Sequence, residues 1–242
     1  MTSSVRALDL PPPFRPVALR EVGDAFLHAT TEAAALGAGT LVFVGRFDLA
    51  EFAVVLEPEE TLRLARRAFY AGMVALADTL AALAPPETPI AIDWPDAVRI
   101  GRGLVGGGRL AWPRAAAEDD VPDWLVFGAM VRLTSMIGKE ALHPLATALE
   151  DEGFGAIGAE RFVADFARRL MAALDRLRVG ESAAIARDYV AKLSRERGVI
   201  HAIEVSGDLR IERLGKPVEH RSLRTALCAP SWLDPATGGP RL

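Results

Sequence analysis

The chain has 242 residues, half of them hydrophobic and a quarter charged, enough to bury a sizeable core and too apolar for a disordered polyelectrolyte. Its formal net charge of -4 at pH 7 argues against a nucleic-acid partner, which would favour a basic surface. One cysteine, Cys228, excludes an intrachain disulfide framework and a cysteine-rich zinc site.

The N-terminal MTSSVRALDL lacks the apolar region of a signal peptide, and no apolar run is long enough to span a bilayer. The expectation is a cytoplasmic protein with no membrane partner. Lysine is scarce: Lys139, Lys192 and Lys216 are the only ones, so chemistry that needs a lysine has three candidates.

In chain order, residues 9–19 are proline-rich and read as extended. Residues 23–37 read as a helix stopped by Gly37. Strands follow at 40–45 and 52–58. Residues 59–84 carry Leu62, Ala65, Phe69, Met73, Leu76, Leu80 and Leu83 at helical spacing, with Pro85 and Pro86 beyond. Short strands are expected at 90–92, 98–100 and 109–112, a charged loop at 114–123, and a long apolar strand at 124–135. Helices are expected at 143–153, 160–178 and 181–197. Residues 199–215 read as two strands around Ser206-Gly207-Asp208, a hairpin signature. The remaining tail is loop-rich, with one short helix at most. The mixture of hairpin strands and helices predicts an α+β fold, with a mixed or antiparallel sheet packed by helices over residues 1–190. A small β-rich C-terminal domain is expected over 191–242.

Gly101, Gly103 and Gly106 spell G-x-G-x-x-G and run on into Gly107 and Gly108. A dinucleotide fingerprint needs a helix after the glycines. Here a strand-like Arg109–Trp112 and then Pro113 follow. The stretch therefore reads as a hairpin. Gly101-Arg102-Gly103 forms its turn, and Gly106–Gly108 lie in or beside the returning strand. Three consecutive glycines weaken a strand, so they suit either scaffold or a backbone that faces an anion or a flat ligand.

Residues 92–110, IDWPDAVRIGRGLVGGGRL, resemble the Lys-Trp-Pro-Asn-Asp stretch of biotin protein ligases and the glycine-containing hairpin after it. Trp94, Pro95 and Asp96 carry the resemblance, with Asp96 at the asparagine position. The order of elements around them agrees. The chain resembles the biotin/lipoate ligase superfamily over roughly residues 15–195. It is most similar to a bacterial ligase-like subgroup with its own small C-terminal domain of unknown function, through residues 50–60, 103–113, 122–130 and the Pro-Ser-Trp-Leu-Asp at 230–234.

The resemblance implies a fold and an activity. Members join ATP and a carboxylic acid into an acyl-adenylate, and a carrier-domain lysine then forms the amide. By that likeness the ligands are ATP with Mg²⁺ and a small acid such as biotin, lipoate or octanoate. The partner is a biotinyl or lipoyl carrier domain, and a homodimer is possible. The implied substrate and adenylate contacts are Gly39, Thr40, Arg46, Trp94, Pro95, Asp96, Gly106, Gly107 and Gly108, with Asp96 also the metal candidate; Arg132 joins them as an arginine on an apolar strand, which is either ion-paired or lines a pocket.

This sequence departs from the motif. Asp93 stands where a lysine precedes Trp-Pro, and Gly103 stands where a second lysine is expected. A reversed charge about 4 Å from a phosphate is worth on the order of several kcal/mol at an effective dielectric near 20. Arg46, Arg102 and Lys139 are the candidate catalytic cations, and Arg109 could also restore charge, although arginine does not simply replace a lysine. The missing lysines leave a second reading open, a non-catalytic homologue that binds a small acid or a carrier domain. Cys228 reads as an inert thiol, His143 as a residue at a helix start, and the other histidines show no ligand spacing.

Overall fold

The computed structural model describes residues 8–135, 145–194 and 196–241. Its frame is a seven-stranded sheet, built of β1 (Arg15–Leu19), β2 (Thr40–Val44), β3 (Leu49–Leu56), β4 (Ile90–Asp93), β5 (Ala97–Ile100), β6 (Gly103–Ala111) and β7 (Leu125–Arg132). The strand order is β1-β2-β3-β7-β6-β5-β4. Only the β1–β2 pair is parallel; the other neighbours are antiparallel. The central β3–β7 ladder runs in unbroken register from Leu49 opposite Arg132 to Leu56 opposite Leu125.

The sheet is covered on both faces, and so its central strands are apolar at nearly every position. Alternate residues Ala50, Phe52 and Val54 of β3 and Phe127, Ala129 and Val131 of β7 point toward one core. There they meet α3 (Ala68–Leu83) and α4 (Ala159–Arg178). Their neighbours Ala53, Val55 and Val126 point to the opposite face and meet the small residues Ala25, Ala29 and Ala33 of α1 (Ala25–Leu36). That face is shared. Leu49, Ala97, Leu104 and Met130 also lie on it, and Trp232 of the C-terminal tail covers them.

Three expected elements differ. The helix at 59–84 is two helices, α2 (Leu62–Ala65) and α3. Between them, Arg67 and Tyr70 donate to carbonyls three residues back, and the buried Arg66 reaches out to Glu118 in the charged loop through two hydrogen bonds of 2.7 and 2.8 Å. Tightening the turn there lets Arg66 keep its partner. The helix expected at 143–153 is also absent from its described part. Residues 145–147 instead bridge Leu104 of β6, and only a 3-10 turn forms at Glu150–Glu152, stopped by Gly153. The helix at 181–197 is shorter, α5 (Ser182–Ala191). The chain after it pairs with the edge of β4, where Ile92 N–H donates to Lys192 and Ser194 N–H donates to Ile92.

The C-terminal part forms an antiparallel sheet of β8 (Val199–Ile203), β9 (Leu209–Arg213) and β10 (Glu219–Arg221), followed by α6 (Leu223–Leu227). Its Leu209, Ile211, Leu223 and Leu227 join the same apolar cluster as α3 and α4. Among the described residues no helix is long and apolar enough to cross a membrane.

Candidate functional site

Strand alternation decides which side chains reach the face shared by α1 and the tail. On β3 these are Leu49 and Glu51, on β7 Met130 and Arg132, and on β6 Gly107 and Arg109. Between α1 and the tail this produces a seam of alternating charge. Arg46, in the β2–β3 turn, grips Asp48 with two hydrogen bonds of 2.7 Å and stands 3.9 Å from a Glu51 carboxylate oxygen. Glu51 is 3% exposed, and its other oxygen accepts the Ala25 N–H at the start of α1. Arg109 pairs with Asp24 at 3.3 Å and lies over the Phe26 ring. Arg132 donates to the carbonyls of Thr147, Pro240 and Arg241.

Burial and pairing pull these groups in different directions. The hydrogen bonds from Arg46 hold the Asp48 carboxyl below the usual range, and the same bonds raise Arg46. Burial dominates elsewhere. It pushes the Glu51 carboxyl up and makes the Arg109 and Arg132 guanidiniums easier to deprotonate. Among the described residues, the buried Arg109 Nε has no hydrogen-bond partner. An anion placed beside these arginines would recover what burial costs them.

The glycine strand forms the next part of the wall. Asp96 is 1% exposed, and its carboxylate accepts from the Ser231 hydroxyl at 2.6 Å and the Ser231 N–H at 2.9 Å. Burial raises the Asp96 carboxyl and the two bonds from Ser231 oppose the shift. The Asp96 carbonyl accepts the Gly108 N–H. The Trp232 indole N–H donates to the Gly108 carbonyl at 3.0 Å. A Cβ on Gly107 would collide with the Asp96 carbonyl and the Trp232 ring, so only glycine leaves room for the N–H edge of that ring against this backbone. Beside the tail lies an open groove of about 700 Å³, lined in part by Trp94, Arg99, Leu104, Ser231, Trp232 and Arg241.

Asp96, Gly107, Arg132 and Arg46 are thus brought to one face, and Gly106 lies beside them on β6; Gly108 turns toward Met73 and Phe127 in the main core and meets the tail through its carbonyl alone. The other expected site residues sit elsewhere or face inward. Gly39 and Thr40 are at the far end of β2 from Arg46, where the Thr40 hydroxyl bonds the Leu36 carbonyl; four strand steps separate Thr40 from Val44, about 13 Å. Arg102 is on the exposed hairpin turn, and its carbonyl accepts from Arg99. The Trp94 indole N–H points to the Tyr70 hydroxyl at 3.4 Å, and the Pro95 carbonyl accepts from Tyr189. Lys139 and His143 lie outside the described residues. Asp93, in the place of the motif lysine, is locked by Arg99 at 2.5 Å and by the Ser194 hydroxyl.

Sequence reasoning missed three residues of this face. Glu51 had a signal, as the one acid in the apolar strand LAEFAVVL. Ser231 and Trp232 had none beyond their place in the subgroup's C-terminal motif, since they meet Asp96 and Gly108 across more than 120 residues. As for Mg²⁺, both Asp96 oxygens are held by Ser231, and among the described residues no cluster of three His, Cys, Asp or Glu could hold a metal ion. The residues present therefore do not build a protein-held magnesium site.

Comparison with known proteins agrees with this fold. No curated protein matches the chain. A biotin protein ligase-like protein of unknown function from Silicibacter sp. tm1040 superposes with a TM-score of 0.77 at 28% identity, over 91% of this chain and 99% of that one. Biotin protein ligase from Aquifex aeolicus superposes with a TM-score of 0.66 at 15% identity, over 86% and 100% of the two chains. The same ligase in complex with biotin and ATP gives a TM-score of 0.66 at 14% identity, over 86% and 99%. These two share the fold. The model of the biotin/lipoate A/B protein ligase family matches residues 10–191, three quarters of the sequence, and the chain belongs to that family.

Proposed function

We propose that this chain binds a biotin- or lipoate-like carboxylic acid together with ATP on the arginine-bearing face, activates the acid as an acyl-adenylate, and passes the acyl group to a carrier-domain lysine. One observation carries the reading. Arg46, Arg109 and Arg132 gather on the face that Gly107 of the glycine strand also lines, each partly desolvated and each held by an acid or by carbonyl groups. In adenylation the acid's carboxylate oxygen attacks the α-phosphorus and pyrophosphate leaves. The negative charge that builds on the phosphate oxygens is what guanidinium groups in a dry site stabilise. The lysine amine then attacks the acyl carbon and AMP departs. Asp48, Asp24 and Glu51 keep the arginines aimed until an anion arrives. Magnesium, in this reading, enters on the nucleotide.

A second reading is acid binding without adenylation. Asp93 favours it: where a motif lysine would supply positive charge, this chain has a carboxylate already committed to Arg99 and Ser194. Exchange of labelled pyrophosphate into ATP separates the two. With biotin, lipoate or octanoate added singly, adenylation gives exchange that depends on one of these acids, and Arg132→Ala lowers it by roughly 100-fold, the loss usual when one such donor is removed. Calorimetric binding of an acid without any exchange selects the second reading. Neither binding nor exchange sinks both.

A further inference from the structure

We infer that the C-terminal tail, residues 230–241, is a displaceable occupant of the acid-binding face and competes with the ligand for it. The inference rests on the proposed function and adds the regulation of that site and the chemistry of what it accepts.

The tail has neither helix nor paired strand beyond one isolated bridge, Leu233 with Pro240. It is folded on itself by the Asp234–Gly239 turn and by Arg241, whose N–H groups reach the carbonyls of Trp232 and Ser231. Among the described residues, its hydrogen bonds to the rest of the molecule fall on Asp96, Gly108 and Arg132. The family resemblance singles out Asp96 and the glycines as ligand contacts, and Arg132 is a buried arginine of the same face. The tail satisfies each with the matching chemistry. A hydroxyl and an N–H meet the Asp96 carboxylate, the edge of a ring packs on Gly107 with its N–H on the Gly108 carbonyl, and carbonyl oxygens meet Arg132. A ligand that replaces it therefore carries a ring with N–H donors and an arm ending in anionic oxygen. Such a ring recovers the burial Trp232 gives up, and an anion on Arg132 is a stronger acceptor than two neutral carbonyls. The open groove along Ser231, Trp232 and Arg241 gives a ligand a way in beside the tail.

Displacement reduces apparent affinity by the fraction of molecules whose tail is open, so weakening the tail's hold raises affinity in proportion. Ser231→Ala removes one of the two donors to Asp96 and leaves the sheet intact. The test uses full-length protein, with biotin as probe, alone and with ATP–Mg²⁺. Hydrogen exchange of the tail amides Ser231, Gly238 and Arg241 is read alongside calorimetric affinity. The expected result is faster tail exchange in the wild-type protein on adding biotin, and roughly tenfold tighter binding by Ser231→Ala, the equivalent of one hydrogen bond. Equal affinities for the two proteins with the tail still protected would overturn the competition and leave the ligase reading standing. Absence of binding by both, with the Ser231→Ala tail already exchanging faster, would overturn both. If Ser231→Ala leaves the tail protected, Trp232→Ala takes its place in the same comparison.

Discussion

Glu51 is the residue whose titration tests the charge seam. It is nearly fully buried, and burial raises its carboxyl above the ordinary range despite the Ala25 N–H and two nearby arginines. A carboxyl raised in the folded state binds more protons folded than unfolded. Between its unfolded and folded pKa values stability therefore falls as pH rises, and above both the penalty is fully present. Glu51→Gln keeps an acceptor for Ala25 and removes the charge. At pH 7 the variant should match or exceed wild type, by about 1 kcal/mol for each unit by which burial raises the carboxyl. As pH falls toward 4 the advantage should disappear, because the wild-type carboxyl becomes neutral too. Urea denaturation of both proteins at pH 7, 5.5 and 4 measures the difference. A variant that is less stable at pH 7, by a deficit that shrinks as pH falls and the wild-type carboxyl is protonated, would mean that the Arg46 and Arg109 contacts outweigh burial. The seam would then be a set of ion pairs and would not be strained in the absence of an anion.

Helix α3 and strand β7 show how two elements reach the contact that fixes the sheet's height above the helices. Gly72, in the middle of α3, faces the Phe127 ring, and a Cβ there would overlap it. Gly72→Ala would gain about 1 kcal/mol of helix propensity. It would also overpack a core where Phe127 is already stacked on Phe166 at 5.8 Å, which costs about 1–3 kcal/mol or more. The net effect expected is a loss of roughly 1–2 kcal/mol in thermal unfolding. Gly72→Ala combined with Phe127→Leu should lose less than the sum of the two single changes, since the leucine vacates the contested space. Additivity would show that the two residues do not meet. The periodicity of α3 and the apolar run of β7 are local patterns and are legible in the sequence. The break at Arg66 is not, because its cause is Glu118, 52 residues away. Pairing of β1 is equally hidden: Arg15–Leu19 contains a proline, and its partner β2 supplies the order. At the site, Asp96 and the glycines were singled out by their likeness to a known motif, and Arg132 by being an arginine on an apolar strand. Their tenants Ser231 and Trp232 were not, since a loop-like sequence carries no sign of where it docks.

At the scale of the whole molecule, the question is whether the C-terminal sheet unfolds with the main sheet or apart from it. Leu209, Ile211, Leu223 and Leu227 share the main apolar cluster, and polar links cross the same boundary, among them Arg224 of α6 to Glu118 at 2.8 Å. The Tyr70 hydroxyl, on α3, donates to the Gly207 carbonyl in the β8–β9 turn at 2.5 Å and receives the Trp94 indole N–H. Tyr70 also packs on Tyr189 of α5, with ring centroids 4.5 Å apart. Burial raises the Tyr70 phenol well above its ordinary range, so this donor stays protonated at any ordinary pH. Shared apolar burial and a buried hydrogen bond both argue for one cooperative transition, since neither sheet can expose this boundary alone without losing them. Tyr70→Phe keeps the ring and strips the hydroxyl, leaving the Gly207 carbonyl and the Trp94 N–H without their partner. The expected cost is about 1–3 kcal/mol, which for a chain of this size lowers the midpoint by roughly 2–10 °C. Tryptophan fluorescence, which reports the main sheet and the tail, and far-ultraviolet dichroism should shift by the same amount. A new early transition confined to the C-terminal sheet, with the tryptophan signal unmoved, would show that Tyr70 is a latch between two separately folded units. Displacement of the tail from Asp96 would then require no loosening of the sheet that precedes it.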